Sequence, residues 1–119
     1  MKTLAVALAA VVLSTPALAA EFKCAGGSRV EKGGSTQYTY RESSSEIRVE
    51  KGGSTKGVAV KRGSKWAVEI GGSTQATFEN GKIEKGGSSW ASVSEAQRQF
   101  DCNADVAATL WVLMQKGAL

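Results

Sequence analysis

From about residue 29 to residue 91 the chain alternates apolar and polar residues with a period of two. In "TQYTYRE" Tyr38 and Tyr40 alternate with Thr39 and Arg41, in "EIRVEK" Ile47 and Val49 alternate with Arg48 and Glu50, and in "KWAVEI" Trp66, Val68 and Ile70 alternate with Ala67 and Glu69. Side chains on a strand point to opposite faces in turn, so this pattern predicts strands with one buried and one wet face, as in an antiparallel sheet. After Trp90 the period changes. Glycine is missing until Gly117, and Val106, Leu110, Leu113 and Met114 fall on one helical stripe, with Ala107 and Trp111 beside it. "SVSE" at Ser92 to Glu95 has the form of a capping box and predicts a short first helix, with Val93, Ala96 and Phe100 on one face. For the second helix, Asp101 or Asn103 can cap the start, Asp105 suits the first turn, and Lys116 and Gly117 suit the end.

The strand segments are separated by two series of turn signals. One is a repeat: "RVEKGGST" at residues 29–36 returns as "RVEKGGST" at 48–55, "VEIGGST" at 68–74 and "IEKGGSS" at 83–89. The first three glycine pairs, Gly33-Gly34, Gly52-Gly53 and Gly71-Gly72, recur every 19 residues, and Gly86-Gly87 comes early. Between them lie "ESSSE", "KRGSK" and "ENGK". Glycine, and to a lesser degree asparagine, accepts the positive φ of tight hairpins, so both series read as chain reversals. Because successive antiparallel strands reverse direction, all four Gly-Gly turns should lie at one end of the sheet and the other three at the opposite end.

The expected fold is α+β: an antiparallel β-meander of about 7–8 strands over about residues 22–91, with partial closure into a barrel, covered by a helical segment over about 92–117. The aromatic residues Tyr38, Tyr40, Trp66, Phe78, Trp90 and Trp111 are expected in its core. A period of 19 residues also suits the coils of a short β-solenoid with a helical cap, the alternative architecture. Register sets a problem. Two-residue Gly-Gly loops place Ile47 opposite Val58 and Ile83 opposite Trp90, but would set Val30 opposite Gln37 and Val68 opposite Gln75. The first and third copies are therefore expected to use a three-residue loop with a bulge.

The first segment, "MKTLAVALAAVVLSTPALAA", has Lys2, a short apolar run and a small-residue end, the layout of a signal peptide cleaved after residue 19. The remaining single exported domain, residues 20–119, supports one core. No later segment is long and apolar enough to span a bilayer, so no membrane span is expected in the mature protein. The pair Cys24 and Cys102, one near each end, reads as a disulfide in an oxidising compartment, tying the start of the sheet to the start of the last helix.

The formal net charge of +4 is spread among acidic residues without a block of one sign, so a nucleic-acid partner is not expected. There is no histidine, the many serines lie in turns, and Glu95, Asp101 and Asp105 read as helix-capping residues. Neither a catalytic constellation nor a metal or cofactor site is expected. One binding chemistry stands beside the turn reading of the repeat. Lys32 with Gly33 and Gly34, Lys51 with Gly52 and Gly53, and Lys85 with Gly86 and Gly87 offer ammonium groups and turn amides to an anionic partner.

The leading expectation is a non-catalytic binding or interaction protein of the periplasm or secreted space, whose partner is another protein or an envelope polymer. A small exported meander with one disulfide resembles in outline periplasmic proteins that block lysozymes or proteases, which makes an inhibitor of an extracellular or periplasmic hydrolase a second class. A small-molecule or glycan-binding barrel and a self-associating structural envelope component are the others.

Overall fold

The computed structural model describes residues 20–119; the expected signal peptide, residues 1–19, lies outside them. Ten strands form one sheet: β1 (Phe22–Ala25), β2 (Arg29–Lys32), β3 (Ser35–Glu42), β4 (Glu46–Lys51), β5 (Ser54–Arg62), β6 (Lys65–Ile70), β7 (Ser73–Glu79), β8 (Lys82–Lys85), β9 (Ser88–Ser92) and β10 (Phe100–Asp101). Helix α1 (Val93–Gln99) lies between β9 and β10, and α2 (Ala104–Gln115) follows. Strands β1 to β9 pair with their neighbours in chain order, each antiparallel to the next, and β10 adds to β1 in parallel. The antiparallel pairing replaces the stacked parallel coils of a solenoid. Two strands exceed the expected number: Gly26-Gly27 is a further reversal that splits off β1, and the two-residue β10 is too short to show a period.

All four Gly-Gly reversals have the same geometry, which corrects the expected mixture of two- and three-residue loops. In each pair both glycines have positive φ, near 60° and then near 85°, as in the mirror-image turn that matches the twist of a hairpin. Lys32 pairs with Ser35 and Glu31 with Thr36, but Val30 pairs with Tyr38, so Gln37 is the extra residue of a bulge. Lys56, Gln75 and Trp90 occupy the same place in the other three copies. Ile47 therefore faces Ala59 instead of Val58, and Ile83 faces Ala91 instead of Trp90. Moving the extra residue from the loop into the strand keeps the tight turn and restores the apolar face in one device.

That shift decides what lies beneath α2. It puts Gly57 opposite Val49 and Ala59 opposite Ile47, and with Ala76 on β7 these small residues are buried on the inner face. Larger side chains fill other parts of that face. Phe22 stacks on Phe100 at 4.9 Å between ring centroids, and Trp66 on Phe78 at 6.0 Å. Helix α2 lies against this face and touches β4, β5, β6, β7, β10 and α1. Its residues Val106, Ala107, Ala108, Thr109 and Leu110 are all fully buried. Five consecutive positions cover more than a full helical turn, so the helix is enclosed on every side and not along one stripe. The polar member, Thr109, donates from Oγ1 to the Asp105 carbonyl at 2.8 Å, so burial leaves no unpaired hydroxyl.

Enclosure requires the sheet to coil. Laid flat, ten strands would separate the two edges by roughly 40 Å. The seven residues of α1 bridge from β9 at one edge to β10 at the other, and a helix of that length spans only about 10 Å. The edges therefore approach one another, with α1 in the gap, yet β9 and β10 do not pair and the barrel is not closed. Cys24 on β1 and Cys102 after β10 are joined by a disulfide with 5.1 Å between Cα atoms, a bond consistent with an oxidising compartment. No helix among the described residues is long and apolar enough to cross a membrane.

Candidate functional site

The end caps of α2 establish which way it runs inside the coil. Asn103 caps its start, its Oδ1 accepting from the Val106 N–H at 2.9 Å while its Nδ2 donates to Glu42 at 3.0 Å. At the other end Ala118 N–H donates to the Leu113 carbonyl at 2.9 Å around the left-handed Gly117. Glu42 belongs to the end of the sheet opposite the Gly-Gly turns, so the carbonyl end of α2 points toward those turns. The negative end of the helix dipole therefore points toward the end of the sheet that carries the repeated lysines.

Lys32, Lys51 and Lys85 are the last residues of β2, β4 and β8, on the same face as buried Val30, Val49 and Ile83. Each lays its ammonium against an aromatic ring: Lys32 over Phe22 at 5.6 Å, Lys51 over Tyr38 at 5.7 Å and Lys85 over Trp90 at 5.0 Å. Lys32 is also bound to Glu21 at 2.8 Å, and that carboxylate raises the lysine pKa above its ordinary value. Ile70 takes the corresponding place in the third copy. Turns at one end of a meander are two strands apart, roughly 10 Å, so the three lysines form a spaced row. An anion that reached two of them would have to be extended.

The expected aromatic core divides into two groups. Tyr38, Tyr40, Trp66 and Phe78 are buried, and burial raises the phenol pKa of both tyrosines, with the charge of Glu42 adding to the effect at Tyr40. Trp90 and Trp111 are half-buried and meet edge to face, with centroids 4.9 Å apart. Between Val106 and Leu113, Trp111 is the one residue that is not buried. It lines a groove of about 380 Å³ together with Glu21, Glu95, Arg98 and Gln99.

Three of these walls, Glu95, Gln99 and Glu21, are held in place by their own bonds. The Glu95 carboxylate accepts from the Ser92 N–H at 3.0 Å, the reciprocal half of a capping box in which Ser92 Oγ accepts from the Glu95 N–H at 3.1 Å. Gln99 donates from Nε2 to the Met114 sulfur at 3.2 Å. Glu21 binds Lys32 through one carboxylate oxygen. Arg98 forms no salt bridge among the described residues. Sequence reasoning assigned Glu95 to a cap and Trp111 to the core, and it did not connect either with Glu21, 74 and 90 residues away in the chain. The groove exists only because the coil brings the β9 and β10 edges together.

Among the described residues there is no group of three or more side chains able to hold a metal ion, and both cysteines are in the disulfide. Glu95 and Asp105 lie in the first turns of α1 and α2. Comparison of the chain with protein-family models, with curated proteins and with solved structures gives no significant match.

Proposed function

We propose that this is a non-catalytic binding protein of an exported, oxidising compartment, and that it engages its partner from outside the coiled sheet. The observation that carries this reading is the filled interior: α2 occupies the space in which a ligand-carrying barrel would hold a small molecule. What is left for recognition is the outer face, the Gly-Gly rim and the groove beside α1. The disulfide supports the compartment.

The strand connections bear on the kind of partner. From β1 to β9 each is two or three residues long, so no long loop is available to enter an enzyme cleft. A broad contact with an envelope polymer or with the surface of another protein fits this shape better than loop-insertion inhibition does. The test is retention of the domain 20–119 on insoluble envelope polymer and on immobilised envelope proteins, with the ligand inspected for turnover. Saturable retention with the ligand chemically unchanged is expected. Turnover, or a small molecule recovered from within the purified fold, would overturn the reading.

A further inference from the structure

We propose that the groove between Glu21, α1 and Trp111 is a saccharide site, seating one sugar unit of an envelope polymer against the Trp111 indole. The inference rests on the binding-protein reading and names the ligand class for one part of its surface.

Trp111 is a large apolar ring left partly in water on a helix otherwise enclosed over Val106 to Leu113. It does not move freely, because the Trp90 ring braces it edge to face and Lys85 in turn sits 5.0 Å from the Trp90 centroid. A braced, partly exposed indole offers an apolar surface with polar groups around its edge. A sugar ring has the matching character: C–H groups on its faces and hydroxyls around its circumference.

The groove supplies partners for those hydroxyls. Glu95 and Glu21 each have one carboxylate oxygen engaged within the protein, which leaves the other as an acceptor. Gln99 uses its amide nitrogen on Met114, leaving its carbonyl oxygen as a third acceptor, and the Arg98 guanidinium supplies donors. Glu95, Glu21 and Gln99 are oriented by these bonds before any ligand arrives, so binding has only Arg98 left to order.

Charge and size select among ligands. Trp111 with two carboxylates would also suit a quaternary ammonium ion. Arg98 in the same groove and Lys32 beside Glu21 oppose a cation, however, and leave a near-neutral lining that suits a hydroxyl-rich ligand. At about 380 Å³ the groove lies at the small end of ligand sites and opens to solvent, so it fits one or two sugar rings with the polymer continuing outside.

The test titrates the domain 20–119 with soluble β-linked N-acetylhexosamine oligomers, following tryptophan emission and calorimetric heat. Saturable binding is expected, weakened about tenfold or more by Trp111→Ala and by Arg98→Ala, and unchanged by Lys56→Ala on a distant strand. Arg98 is exposed, so its variant keeps the question answerable even where Trp111→Ala disturbs the fold. Absence of saturable heat or emission change with every oligomer overturns the saccharide assignment. Insoluble polymer retained equally by wild type, Trp111→Ala and Arg98→Ala overturns the groove but leaves the binding-protein reading in place. No retention on polymer or on envelope proteins removes both.

Discussion

Gly57 on β5 lies directly against Leu113 on α2. A β-carbon built on Gly57 would stand 2.9 Å from Leu113 Cδ1 and nearer still to Cδ2, closer than packed carbon atoms come. The position has ordinary negative φ, so glycine is needed here for space and not for backbone shape. The bulge at Lys56 sets this contact, because it moves Gly57 onto the inner face opposite Val49.

Gly57→Ala is therefore expected to destabilise the fold by about 1–3 kcal/mol through overpacking. Leu113→Ala alone should cost about 2–5 kcal/mol. The double variant should be less destabilised than the sum of the two, since removing the leucine methyls makes room for the added carbon. Urea denaturation of the four proteins measures the coupling; strict additivity would mean that the two residues do not meet.

Each Gly-Gly turn should respond oppositely at its two positions. The first glycine has φ near 60°, a conformation asparagine tolerates, and Asn-Gly is the favoured pair for this turn. Gly52→Asn is expected to stabilise by about 0.4–1 kcal/mol by restricting the unfolded chain, as compatible replacements of glycine do. Gly53→Ala, at φ 84°, is expected to destabilise by about 1–2 kcal/mol. A β-carbon at either position would meet no other part of the fold within 4 Å, so thermal denaturation reads the backbone term alone.

Reduction should weaken the fold strongly. The disulfide joins residues 78 apart, and a crosslink of that span contributes about 4.5 kcal/mol in the chain-entropy model. It also fastens β10 to β1 beside the start of α2. Cys24→Ser with Cys102→Ser is expected to lower the urea midpoint markedly, and reductant should then have no further effect on this variant.

Stability should fall at alkaline pH. Burial raises the pKa of Tyr38 and Tyr40 in the folded protein above the ordinary phenol value of 10.0. The folded state thus holds the phenol protons where the unfolded state releases them. The resulting stabilisation is complete below pH 10 and is lost as pH rises through the folded-state values. Denaturation midpoints measured between pH 8 and 12, alongside phenolate absorbance, should show this decline, and Tyr38→Phe with Tyr40→Phe should flatten it.

Capping of α2 gives a smaller effect. Asn103→Ala removes both the bond from Val106 N–H and the contact with Glu42, and is expected to cost about 1 kcal/mol. Asp101→Ala should cost less, because the structure assigns the cap to Asn103. Comparison of the two melting temperatures decides between them.

Much of this architecture is written locally. The alternation around Tyr38, Ile47, Val49 and Val68, the diglycines, the Ser92–Glu95 box and the stripe through Val106 and Leu110 each express a short-range rule, and the meander, its turns and its helices follow from them. The disulfide was legible as well, because two cysteines leave a single intramolecular pairing. What reached beyond local rules was the position of the extra residue. Gln37, Lys56, Gln75 and Trp90 could as well have been absorbed in longer loops as in bulges, and the choice depends on which side chains must lie under a helix 14 to 67 residues later in the chain. The same holds for the closeness of β9 and β10, the enclosure of α2 and the meeting of Glu21, Arg98 and Trp111. Turn chemistry and periodicity depend on neighbours a few residues away, and so can be read from the chain itself; coiling depends on how tightly one whole face packs around its helix, and only the folded protein decides that.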